Sequence, residues 1–157
     1  MFTLSRESHE SVIARRLIEA LDLELTAQYP EEGATFFELL AVDVTEGHGA
    51  FLVAWEGTEP VGCGAVRKLT DDRVELKRMY VVPNFRGKGV GCALLSALED
   101  IARSLGAREL VLETGSRQVA AVHMYERAGF GAIASFGPYA NSPLSVCLGK
   151  VLRRHDP

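Results

Sequence analysis

Arg86-Gly87-Lys88-Gly89-Val90-Gly91 is the segment of this 157-residue chain whose residue types and spacing most directly imply chemistry. Glycines let the main chain take positive φ and approach a ligand closely. A helix that starts behind such a turn presents unpaired N–H groups and the positive end of its dipole. That combination suits a pyrophosphate, and Arg86 and Lys88 add charge-assisted contacts at the same place. Two common phosphate motifs do not fit the spacing. A P-loop needs Ser or Thr after its lysine and an earlier Gly in the pattern G-x-x-x-x-G-K, whereas Gly89 follows Lys88 and the earlier Gly is absent. A dinucleotide fingerprint built on Gly87 and Gly89 would need Gly or Ala at Cys92, although Glu113 lies where a ribose contact is plausible.

The remaining reactive side chains are sparse. Cys63, Cys92 and Cys147 are odd in number, far apart and outside any CxxC pair, so they read as small buried hydrophobes. His9, His48 and His155 stand alone, and His123 lacks a second ligand one helical turn on, so no metal site is expected. His123 itself reads as a surface or packing residue.

The glycine turn is flanked by the two clearest elements of the chain. Val74 to Val82 alternates and then becomes apolar, as a strand entering the middle of a sheet does, and Pro83 ends it. Behind the turn, Leu94, Leu95, Leu98, Ile101, Ala102 and Leu105 fit one helical face, with Gly106 placed for a left-handed cap. Upstream, Leu17, Ile18, Leu21 and Leu25 mark a first helix ending near Tyr29-Pro30. Residues 51–55 and 61–66 form a hairpin about Glu56-Gly57-Thr58-Glu59, and Asp71-Asp72 makes the next turn. Downstream come a buried strand Glu109 to Glu113, a helix Gln118 to Ala128 stopped by Gly129, and a last strand Leu144 to Leu152. A strand–helix–strand unit implies a parallel pair with a right-handed crossover, so the fold class is α/β (α+β) with a mixed sheet. Residues 30–49 are irregular and read as a loop plus short helix, residues 31–33 and 137–143 read as loops, and Phe36, Phe37, Tyr139 and Asn141 could line an acceptor pocket.

Composition narrows the function classes. An apolar fraction of 47% and a charged fraction of 24% are those of a globular chain, and residues 1–157 read as one domain. The net charge of -4 offers no sequence-wide attraction to nucleic acid. No apolar run is long enough to span a bilayer and the N-terminus lacks the pattern of a signal peptide, so no membrane partner and a cytoplasmic address are expected.

The turn also satisfies the pattern Gln/Arg-x-x-Gly-x-Gly/Ala through Arg86, Gly89 and Gly91. With Lys77-Arg78-Met79-Tyr80-Val81 before it, Val122-His123-Met124-Tyr125-Glu126-Arg127-Ala128-Gly129-Phe130 after it, and the order of elements, the sequence resembles the GNAT superfamily of acetyl-CoA-dependent N-acetyltransferases. The resemblance covers most of the chain. It implies a single-domain GNAT-like fold in which the strand before the turn splays from its neighbour and the pantetheine arm of acetyl-CoA lies in the gap. Carried over, main-chain groups of Met79, Tyr80 and Val81 would hold that arm, and Arg86, Gly87, Lys88, Gly89, Val90 and Gly91 the pyrophosphate. The family often has Asn at the start of the later helix, and Gln118 stands there instead.

The resemblance also assigns chemistry. An amine must be neutral to attack a thioester, yet an alkyl ammonium of pKa roughly 10 is almost wholly protonated at neutral pH. Glu75, on the strand before the turn, matches the family's frequent base. The competing reading is a solvated strand residue paired with Arg73 or Lys77, and Glu113 is a second candidate. Tyr125 matches the family's donor to the departing thiolate, against a packing role for its ring. An oxyanion would be met by a main-chain N–H of Met79 to Val81. The implied enzyme transfers acetyl from acetyl-CoA to a primary amine of a small molecule or amino acid. Alternatives are a protein lysine or N-terminal acetyltransferase and a non-catalytic acyl-CoA sensor. A homodimer is a family-level expectation.

Overall fold

The structure is a computed structural model and describes residues 2–31, 39 and 41–153. Phe36 and Phe37 lie outside the described residues. Seven strands form one mixed sheet in the order β1-β2-β3-β4-β5-β7-β6. They are β1 (Thr3–Arg6), β2 (Gly49–Glu56), β3 (Glu59–Lys68), β4 (Arg73–Val81), β5 (Glu109–Gly115), β6 (Gly131–Ala132) and β7 (Ser145–Val151). The helices are α1 (Val12–Gln28), α2 (Val90–Ser104) and α3 (Val119–Arg127). All strand pairs are antiparallel except β4–β5, the parallel pair expected around the glycine turn.

Both faces of the central sheet are covered, which is why β2 and β3 read as apolar runs rather than alternating strands. α1 lays Ala14, Leu17 and Leu21 against Phe51, Val53, Cys63 and Ala65 on one face. α2 lays Val90, Leu94, Leu95, Leu98 and Ala102 against Leu52, Ala54, Val66, Val74 and Leu76 on the other. The ends are those the sequence marks: the Ser11 hydroxyl accepts from Ala14 N–H at 3.1 Å, and Gly106 and Gly129 follow α2 and α3 at φ 88° and 100°.

Two short edge strands escape the sequence reading. β1 has four residues and β6 only two, too few for a period-two signal, and each exists because a longer neighbour supplies the ladder. The expectation for the cysteines is corrected in part. Cys63 and Cys147 are buried, but Cys92 is exposed on α2, since it falls off the face that carries Leu94, Leu95 and Leu98.

β4 holds the irregularity that matters for the site. Cys63 pairs with Tyr80 and Ala65 with Lys77, so three steps along β4 oppose two along β3. The extra residue is Arg78, at φ 60°, a left-handed conformation costly for a residue with a Cβ. Its guanidinium pairs with Asp22 on α1, and its carbonyl accepts from Cys63 Sγ at 3.3 Å. The bulge shifts the alternation. Glu75 and Lys77 face the α1 side before it, whereas Tyr80 and Val82 do so after it, and Met79 and Val81 turn toward α2.

Candidate active site

β4 and β5 pair from Arg73–Glu109 to Leu76–Leu112 and then part. Beyond Leu76, the β5-facing main chain of β4 has no strand beside it, and a cleft of about 100 Å³ opens between the two strands. Lys77, Arg78 and Met79 line it from β4, Glu113 to Gly115 from β5, Leu21 and Leu25 from α1 with Tyr29 at its C-cap, and Tyr125 from α3 with Gln118 at its N-cap. Met79 thus reaches the cleft itself, while Tyr80 is buried among the α1-side residues and Val81 packs on the α2 side.

The glycine turn joins the end of β4 to the start of α2. Gly87 and Gly89 take φ 76° and 91°, and a Cβ on either would meet nothing within 4 Å. Backbone conformation, not crowding, demands glycine there, and the outer side of the turn is open to a ligand. Gly89 is the N-cap of α2, so the free N–H groups of that helix's first turn, beginning at Val90, face the same end. Gly91 differs from the expectation. Its φ is not positive, and a Cβ there would meet Met124 Sδ at 2.9 Å, so its glycine lets α3 pack closely on α2.

The two basic residues of the turn are placed unequally. Lys88 is exposed over the Phe85 ring, at 5.1 Å from its centroid. Arg86 donates to Val81 O at 2.9 Å and to Glu24 on α1 at 2.7 Å, and its guanidinium lies over Tyr80. It therefore ties the turn to β4 and α1 as well as adding positive charge.

At the inner end, Tyr125 projects from α3 and is 5% exposed, its ring edge-on to Phe130 at 5.7 Å. Its hydroxyl forms no hydrogen bond among the described residues, and burial pushes the phenol well above its ordinary value. Gln118 N-caps α3 without a side-chain bond to that helix; its Oε1 instead accepts from Thr114 Oγ1 at 3.1 Å. His123 is exposed, in line with its surface reading.

Glu75 is not the solvated residue that one sequence reading described. It is 1% exposed, and its partner is neither Arg73, which binds Glu109, nor Lys77. Arg67 on β3 donates to one oxygen at 3.0 Å and the Tyr139 hydroxyl to the other at 2.9 Å. Arg67 also bonds Asp43 at 3.2 Å, and Lys77 Nζ donates to the Tyr139 oxygen at 3.3 Å. Burial lowers the Lys77 pKa and raises that of Tyr139 above the usual phenol range. Burial also holds Glu113 above the usual carboxylate range, and Glu75 and Glu113 share this side of the cleft.

Tyr29 and Arg67 were missed by sequence reasoning. Tyr29 looks like a helix stop, yet its hydroxyl accepts the Arg117 N–H at 2.8 Å and fills the space left by Gly115. Arg67 lies at the end of a hairpin strand, and only pairing with β4 brings it to Glu75. Tyr139, named only as a possible pocket aromatic, is 2% exposed in the floor of the site, whereas Asn141 is exposed.

A parallel strand pair that opens over a glycine turn is a specific architecture, and comparison with known proteins agrees with it. The acetyltransferase (GNAT) family matches residues 14–130. The chain belongs to the GNAT acetyltransferase family. It is 38% identical over 151 residues to the IAA acetyltransferase of Azospirillum brasilense, covering 96% of this chain and 97% of that one. A solved Klebsiella pneumoniae chain assigned as an acyl-CoA N-acyltransferase is 32% identical, with a TM-score of 0.81 over 98% of this chain and 99% of that one. A GNAT acetyltransferase from Elizabethkingia anophelis, solved with acetyl-CoA bound, shares the fold at a TM-score of 0.69 and 20% identity, over 96% of this chain and 98% of that one. This GNAT chain is an acyl-CoA-dependent N-acyltransferase. No described helix is long and apolar enough to cross a membrane, and no cluster of potential metal ligands occurs among the described residues.

Proposed function

We propose that this enzyme, acting as one domain, transfers acetyl from acetyl-CoA to the primary amine of a small molecule by direct attack. The observation that carries the reading is the loss of β4–β5 pairing after Leu76 and Leu112, together with the positive-φ Gly87–Gly89 turn that joins the end of β4 to α2. The open edge of β4 around Met79 supports binding of a pantetheine amide as a substitute strand, and the turn supports binding of its diphosphate. Arg86, Lys88 and the first-turn amides at Val90 and Gly91 supply the positive potential. Gln118 faces the same cleft and has amide donors for the cofactor.

The acceptor enters from the α1 side, where the ionisable groups lie. Glu113 takes one proton from its ammonium, and the neutral nitrogen forms a bond to the thioester carbon. The oxyanion is met by main-chain N–H of the β4 segment Met79 to Val81. Collapse breaks the carbon–sulfur bond, and the second amine proton leaves to water. The departing thiolate has a conjugate acid of pKa roughly 8.5, below even an ordinary phenol, so full transfer from Tyr125 is uphill. Tyr125 therefore stabilises the sulfur by donating a hydrogen bond, and solvent supplies the proton. Glu75, with both oxygens bonded to protein donors, sets the position of Tyr139 and, through it, Lys77. The direct test is release of CoA thiol from acetyl-CoA with a panel of amines. Release that depends on the amine supports the reading, and CoA binding without release would reduce the protein to a sensor.

A further inference from the structure

The charged groups beneath the cleft are not equally committed. Glu75 is held by Arg67 and Tyr139, Arg67 by Glu75 and Asp43, and Arg78 by Asp22. Lys77 and Glu113 are different. They directly follow Leu76 and Leu112, the last paired residues of β4 and β5, so they stand opposite each other where the strands part. Both line the cavity, and among the described residues neither forms an ion pair. Lys77 gives one of its three N–H donors to Tyr139, which leaves two for another partner. Burial disfavours the charged form of each, lowering the Lys77 pKa and raising that of Glu113. A cation and an anion kept apart in one desolvated cavity are a costly arrangement unless a ligand brings the complementary charges.

Resting on the acetyltransferase reading above, we propose that the acceptor is an α-amino acid, its carboxylate bound by Lys77 and its amino group directed to Glu113. The same pair gives specificity: an amine without the carboxylate leaves Lys77 buried and unpaired, and a carboxylate without the amine offers nothing to acetylate.

The full chain is supplied with acetyl-CoA and each of the common amino acids, alongside the matching amino-acid amides and decarboxylated amines, and CoA thiol release is followed. The expected result is that an amino acid exceeds its amide and its decarboxylated amine by about 10- to 100-fold in kcat/KM, the range a lost charged hydrogen bond spans. Lys77→Met should abolish that preference through KM, and Lys77→Arg should restore part of it. Where Lys77→Met fails to fold, judged by loss of CoA binding, the acid–amide comparison on the unaltered chain decides. Equal use of amines with and without a carboxylate overturns the amino-acid proposal and leaves the acetyltransferase reading standing. CoA binding with no thiol release from any amine overturns both.

Discussion

The Tyr139 hydroxyl donates to Glu75 Oε2 across 2.9 Å, joining the segment before β7 to β4. The other oxygen of Glu75 takes the Arg67 guanidinium at 3.0 Å, so the carboxylate is enclosed by donors from two distant segments. Glu75→Gln should therefore act mainly on stability. Loss of the charge from a buried ion pair should cost about 2–3 kcal/mol, read as a lower midpoint in urea unfolding. An unchanged midpoint together with a lost acidic limb in the rate would return Glu75 to the role of base.

Glu113 is expected to govern the acidic limb of kcat/KM. Its ionised form accepts the proton, and burial raises its pKa, so activity should fall as pH drops through a value above the ordinary carboxylate range. Glu113→Gln should lower the rate by about 10²-fold and flatten that limb, as loss of a general base does. A retained limb would remove Glu113 from proton transfer.

Tyr125→Phe keeps the ring against Phe130 and removes only the hydroxyl. Turnover should drop by about 10- to 100-fold, with KM for acetyl-CoA within roughly twofold, because one hydrogen bond to the leaving sulfur is lost. Equal turnover would assign Tyr125 to packing alone.

Gly115 is where α1 meets the cleft. A Cβ there would stand 1.8 Å from the Tyr29 hydroxyl, so Gly115→Ala must expel that ring and break its bond to Arg117 N–H. The expected loss is about 2–3 kcal/mol, or a melting temperature lower by roughly 5–10 °C. A melting curve that overlays the unaltered protein's would show that α1 does not rest on this contact.

The thiols should separate by burial. Cys92 is exposed and should react with iodoacetamide in the native protein. Cys63 is enclosed, and burial pushes its thiol up to about 12, so it should be modified only after unfolding. Mass spectrometry of the labelled peptides distinguishes the two.

Much of this molecule is legible in its residues because the signals are local. The α2 stripe from Leu94 to Ala102, the caps at Ser11 and Gly106, and the positive φ of Gly87 and Gly89 follow from side-chain periodicity and backbone sterics. Gly91 does not take the positive φ expected of a turn glycine, because what requires glycine there is the close approach of Met124, a residue on another helix. β1 and β6 were missed because a strand of two to four residues has no pattern of its own. The bulge at Arg78 was invisible for a related cause: nothing in the sequence of β4 announces that β3 opposes it with one residue fewer.

By itself, the sequence determined the family and the glycine turn with its helix, because those features arise from residues adjacent in the chain. Only the tertiary structure decided which ionisable groups are committed. Arg67 reaches Glu75 across a strand pair, Tyr139 reaches it from 64 positions away, and the parting of β4 from β5 leaves Lys77 and Glu113 facing one cavity. Electrostatic partnership depends on distance in space, and only folding sets the distance between these side chains.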